Sequence, residues 1–150
     1  MGLRSKHSTN CLLKMNKPIF VFDCNALISA HLIPKSISRA AFEKAMQIGI
    51  LVRSPTTFLE FSTRFARPKF DKYLSLKNRL AIISAFKQQS LLIEPIVSIK
   101  AVVDPDDDKY LELAIASNAA CIVSGDKQLL NLHPFENIPI LSTADFFNQF

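Results

Sequence analysis

A chain of 150 residues, 49% hydrophobic and 21% charged, has the size and composition of one globular domain with one core. Its three glycines form no GxGxxG or GxxxxGK[ST] phosphate cradle, and no run of eighteen apolar residues is present, so no membrane span is expected. The formal charge of +5 suggests a polyanionic partner, but Arg4, Lys6, Lys14 and Lys17 all precede Asp23, the first acid, and without them the charge falls to +1.

Residues 1–17 are therefore expected to be a flexible basic extension, and residues 18–150 a single domain. The extension has no long apolar stretch and no small-residue cleavage site, which argues against a secretory signal. Met15 opens MNKPIFVFDCN, which reads as a natural start, so residues 1–14 are expected to be an extension or an upstream start. Cys11, Cys24 and Cys121 include no CxxC pair, as in a reduced cytoplasmic protein. Cys24 and Cys121 sit in apolar runs, where burial raises a thiol pKa and leaves it inert.

Pro18–Phe22 is a short apolar run suited to a strand covered on both faces. Asp23 follows it, with Asn25 two residues on, a pairing also found in turns. Ile37, Ala41, Ala45 and Ile48 mark a helix over 36–48, closed by Gly49. Ile50–Val52 forms a second strand. Ser54 and Pro55 read as N-cap and first position of a helix through Phe58, Leu59, Phe61 and Phe65, stopping before Pro68. A further helix covers 75–89, with Leu76, Leu80, Ile83 and Phe86 on one face. Residues 91–93 and 96–99 are extended. After Asp107 a helix turns Tyr110, Leu111, Ala114 and Ile115 inward. Residues 120–124 form a strand ending at Gly125-Asp126, and 138–142 a last strand before a short helix at 143–150. Strands alternating with amphipathic helices predict an α/β/α sandwich on a mostly parallel sheet.

Ligands in such sheets bind beyond the carboxyl ends of the strands. Asp23 and Asp126 stand there, Asp107 begins a helix, and Glu60 lies about one turn into another. A lone carboxylate beside an apolar interior is costly unless paired. Four clustered acids repel one another, and divalent cations at about 2.0–2.2 Å relieve that repulsion. All-oxygen ligands favour Mg2+ or Mn2+ over softer metals. Each acid also has an ordinary reading: Asp107 as a helix cap, Glu60 on a solvated face, Asp23 and Asp126 in turns. An EF-hand loop from Asp104 would need Gly and Glu where Lys109 and Ile115 stand, which excludes it. His7, His31 and His133 match no metal or triad spacing and read as tail, surface or loop residues.

VFDCNALISA, DPDDDKYLELA and CIVSGDKQLL together resemble the PIN-domain nucleases, in the branch of toxins from toxin–antitoxin pairs (VapC-like). The similarity spans about residues 18–147. It implies a PIN-like three-layer α/β/α sandwich, Mg2+- or Mn2+-dependent endoribonuclease activity, a homodimer and a cognate antitoxin. Asp23, Glu60, Asp107 and Asp126 match the family's acids as metal ligands and catalytic residues. Asp108 competes with Asp107 one residue away, and Asn25 and Ser124 match polar positions that orient a carboxylate or water. Arg64, Arg67, Lys69 and Lys72 are candidate RNA-backbone contacts, or equally a solvated basic helix end. Phe61, Phe65 and Phe70 could stack bases, or fill the core.

Two other classes fit less well. A dehalogenase-type or receiver phosphotransfer domain also carries strand-end aspartates, but the former wants Asp where Asn25 stands and the latter wants paired acids early in the chain. A catalytically weak PIN-like module that binds nucleic acid or protein would be expected to have lost ligand acids.

Overall fold

The computed structural model describes residues 16–96 and 108–150. The first 15 residues, the extended stretch expected beyond Ile96 and the Asp104–Asp107 run lie outside the described residues. Among those described, five parallel strands form one sheet in the order β3-β2-β1-β4-β5. They are β1 (Ile19–Phe22), β2 (Ile50–Arg53), β3 (Leu91–Leu92), β4 (Cys121–Val123) and β5 (Ile140–Leu141). Helices α1 (Cys24–Leu32), α2 (Ile37–Ile48), α3 (Pro55–Phe65), α4 (Leu76–Gln89), α5 (Asp108–Ser117), α6 (Lys127–Leu130) and α7 (Thr143–Gln149) flank it.

The central strand is apolar because both its faces are covered. Phe20 and Val21 are wholly buried and Phe22 nearly so. The Phe20 and Phe22 rings meet Phe146 of α7 edge-on, and Phe22 also meets Phe42 of α2. Helix α5 crosses β1, β2 and β4 with Tyr110, Leu111, Leu113 and Ala114 buried, while Ile115, expected inside, is only half-buried.

The N-cap expected at Ser54 is real, and three further serines cap helices, among them Ser142, which the sequence assigned to the last strand. Ser36, Ser54, Ser75 and Ser142 each accept a backbone N–H of the first turn they precede. Gly49 does end α2, for a different reason from the usual left-handed cap: its φ is −151°, open to any residue. A Cβ there would lie 2.3 Å from the Pro18 carbonyl oxygen and 2.6 Å from the Phe20 ring. Glycine is required because β1 and β2 pass too close for a side chain.

Three expectations need correction. Asp23 and Asn25 do not form a turn: Asp23 caps α1, its Oδ1 accepting the Ala26 N–H at 2.8 Å. The buried face of α4 is Arg79, Ile83 and Phe86, whereas Leu76 and Leu80 are exposed. The apolar stripe had hidden a buried arginine whose charge is fully partnered, so burial followed pairing rather than hydrophobicity. His31 is neither a surface nor a loop residue; it lies on α1 against the Phe42 ring, its Nδ1–H donates to the Leu27 carbonyl at 2.8 Å, and burial lowers its pKa.

Candidate nuclease site

The chain runs from β1 to β2 and β3 on one side and returns to β4 and β5 on the other, so the sheet order reverses between β1 and β4. Loops leave a parallel sheet in opposite directions at such a point and open a crevice. Phe22 pairs with Val123, and the Asp23 N–H donates to the Val123 carbonyl at 2.9 Å. This register sets Asp23 beside Ser124, 101 residues apart in sequence.

Asp23 is 3% exposed. Its Oδ2 accepts the Ser124 hydroxyl at 2.5 Å and the Gly125 N–H at 3.2 Å, while Oδ1 holds the Ala26 N–H. Ser124 Oγ also accepts the Asp126 N–H at 2.9 Å, so one hydroxyl ties the two aspartates together. Asp126 is half-buried and caps α6, its Oδ1 accepting the Gln128 N–H. Burial pushes the Asp23 carboxyl up to about 6; its three hydrogen bonds work against that shift, and the charge of Asp126 adds to it.

Glu60 occupies a different setting. Lys109 Nζ and Arg64 Nη2 each lie 3.0 Å from its Oε2, and the Tyr110 hydroxyl donates to its Oε1. That hydroxyl accepts the Cys24 N–H at 3.1 Å, which connects Glu60 to the residue following Asp23. Burial is the main reason the Tyr110 pKa is raised, with the Glu60 hydrogen bond second. The Cys24 and Cys121 thiols are buried and pushed up to about 12, inert as expected.

The sequence singled out neither Lys109 nor Tyr110 as a site residue. The signal was in DKYLELA: a basic and a phenolic residue at the start of the helix that faces α3. Asp108, the competing ligand, is 6% exposed. Asp107 lies outside the described residues, and no group of three or more His, Cys, Asp or Glu that could hold a metal occurs among those described.

The donors present nonetheless suit a hard cation. Asp23 and Asp126 offer oxygen only, and Asp23 is buried at a charge cost that a cation would relieve. Each Asp23 oxygen already accepts two hydrogen bonds, whereas among the described residues the Asp126 carboxylate accepts the Gln128 N–H at Oδ1 alone, so a cation would draw first on Asp126 and compete for Asp23.

Next to this pair a cleft of about 400 Å³ is lined by Asn25, Ser29, Arg64, Arg67, Lys69 and Gly125, among others. A neighbouring groove of about 360 Å³ shares Arg64 and Arg67 and reaches Glu60 and Lys109. Three of the four basic candidates thus line the cleft together with Asn25 and Gly125, which stand near Asp23 and Asp126 in the chain; Lys72 does not line it and instead covers the Tyr73 ring. Phe61 and Phe65 are wholly buried and cannot stack on a base, and only Phe70 reaches the cleft wall.

The site is therefore that of an α/β domain with acids beyond the carboxyl ends of its strands, beside a cleft that carries Arg64, Arg67 and Lys69. The family model described as PIN domain matches residues 20–128, and the chain belongs to the PIN-domain family, whose members are generally nucleases. It is 34% identical over 114 residues to the uncharacterized protein MJ1680 of Methanocaldococcus jannaschii, covering 75% of this chain and 73% of that one. The fold is similar to that in the crystal structure of VapBC2 from Rickettsia felis bound to a DNA fragment from their promoter, with a TM-score of 0.52 and 16% identity over 83% of this chain and 97% of that one. No helix among the described residues is long and apolar enough to cross a membrane.

Proposed function

We propose that the chain is an Mg2+- or Mn2+-dependent endoribonuclease acting as the toxin of a toxin–antitoxin pair in the cytoplasm, as a homodimer held in check by a cognate antitoxin. The observation that carries the nuclease part is the Asp23–Ser124–Asp126 arrangement at the edge of a cleft bearing Arg64, Arg67 and Lys69. The toxin assignment, the antitoxin and the dimer rest on the VapBC2 likeness and on the motifs the chain shares with that branch of the family.

Asp23, Asp126 and Asp107, with Asp108 as the alternative to Asp107, would hold the cation. When bound, it supplies a water of lowered pKa and neutralises charge on the phosphodiester. The protein's own residues do the rest. Ser124 fixes the plane of the Asp23 carboxylate and its distance from Asp126. Arg64, Arg67 and Lys69 align the backbone across the cleft, supplying affinity without sequence information. Asn25, at the cleft wall, would orient a carboxylate or water beside the cation. Glu60, bracketed by Lys109 and Arg64, would orient a water at the cation or ligate it directly.

The test is cleavage of defined RNAs by purified protein with and without Mn2+, beside Asp23→Asn and Asp126→Asn. Both variants should lose metal-dependent cleavage while retaining the parent circular dichroism spectrum. Cleavage by Asp23→Asn at the parent rate would refute the site, and RNA binding without cleavage by the parent would favour a binding module.

A further inference from the structure

We propose that Arg79 is a positioning residue for the substrate cleft: its buried guanidinium gathers the segment from Phe65 to Leu74 and thereby sets Arg67 and Lys69 opposite Asn25 and Gly125. The inference rests on the reading of that cleft as a nucleic-acid backbone site.

Arg79 is wholly buried although it lies in the second turn of a surface helix. Its donors all go to one stretch of chain. Nη1 donates to the carbonyls of Phe65 at 2.7 Å and Arg67 at 3.0 Å, Nε donates to the Leu74 carbonyl at 3.0 Å, and Nη2 pairs with Asp71. Phe65 ends α3 and Leu74 precedes the cap of α4, so one side chain closes the whole connection. Within it, Arg67, Lys69 and Phe70 line the cleft, and the Arg67 carbonyl is itself one of the acceptors.

An arginine is the residue for this task. Its planar fork offers five donors in fixed directions, whereas a lysine brings one compact charge that cannot reach three carbonyls and a carboxylate together. Phe70 and Leu74 pack against the core, but the stretch carrying the Arg67 and Lys69 cations is held at its carbonyls by Arg79. Without that hold it would sample more conformations, and phosphate binding would have to order it at the expense of affinity. The pairing with Asp71, itself 60% exposed, completes the enclosure from outside.

The experiment measures binding of a short fluorescein-labelled single-stranded RNA in EDTA, and its cleavage with Mn2+, for the full chain and for Arg79→Lys. Circular dichroism establishes that the variant is folded. KM and the dissociation constant should rise about tenfold, within the range expected when a positioning group shifts by an ångström or less, with kcat within about twofold of the parent. Arg67→Ala should then cost about threefold less affinity in the Arg79→Lys background than in the parent, since coupled residues are not additive.

A purely structural role would leave the Arg67→Ala cost the same in both backgrounds. That equality, or parental KM in folded Arg79→Lys, overturns the proposal. Should Arg79→Lys not fold, Asp71→Ala decides, because it alters an exposed group and leaves the carbonyl contacts in place: weakened binding supports the proposal and parental binding overturns it. A parent chain that neither binds nor cuts RNA would instead refute the cleft reading itself.

Discussion

Asp23→Asn should make the metal-free protein more stable at neutral pH, although it removes the central acid of the site. The folded carboxyl titrates near 6 against an ordinary 3.8, because burial disfavours its charge. A carboxyl whose pKa is raised on folding costs nothing below the lower value, where both states are protonated. Between the two values the unfolded chain releases the proton and the folded chain keeps it, so stability falls as pH rises. Above about 6 the full penalty applies, about 3 kcal/mol for a shift of this size.

Asparagine relieves that penalty and is itself a good N-cap, so its amide oxygen can still accept the Ala26 N–H. It forfeits the bond from the Gly125 N–H, at about 1 kcal/mol for a group that water can reach, while its Nδ2 donates to Ser124 Oγ and the hydroxyl turns to the Asp126 carbonyl. The net gain is about 1–2 kcal/mol at pH 7.5, or roughly 3–6 °C in a domain of this length. At pH 4 the gain should vanish or reverse. Thermal melts in EDTA from pH 4 to 8 measure this, and a variant melting below the parent at every pH would refute the argument. Adding Mn2+ should reverse the order, since a ligand at a hundred times its dissociation constant stabilises the folded state by about 2.7 kcal/mol and the variant has lost a ligand.

Ser124→Ala leaves Asp23 without its shortest hydrogen bond and the Asp126 N–H without its acceptor. It should raise the Asp23 pKa further, measurable by carboxyl NMR titration, and cut cleavage at least about tenfold, in line with loss of a residue that orients metal ligands; Ser124→Thr should retain both. Gly49→Ala forces a Cβ into Pro18 and Phe20 and should cost about 3 kcal/mol in urea unfolding, against less than about 1 kcal/mol if glycine served only as a helix stop. Leu80→Gln, on the exposed side of α4, should change stability by no more than about 0.5 kcal/mol, whereas Phe86→Ala should lose about 3–5 kcal/mol; equal losses would restore the apolar face the sequence suggested.

The sequence by itself determined most of the alternation of strands and helices, α1 and α6 excepted, and the Ser54 cap. Buried parallel strands read as short apolar runs, and serine before a helix declares itself locally. It likewise placed Asp23 and Asp126 at strand ends, because an acid directly after such a run has few other places to lie. The tertiary structure decided what depends on residues far apart. Register between β1 and β4 put Ser124 on Asp23, and packing of α5 against α3 delivered Lys109 and Tyr110 to Glu60, a carboxylate the sequence presented only as a helix acid. Arg79 illustrates the limit most directly. Periodicity counts apolar side chains, so it assigned the inward face of α4 to leucines. Three backbone carbonyls and Asp71, which converge only once the chain has folded back, make an arginine the better-satisfied occupant of that place.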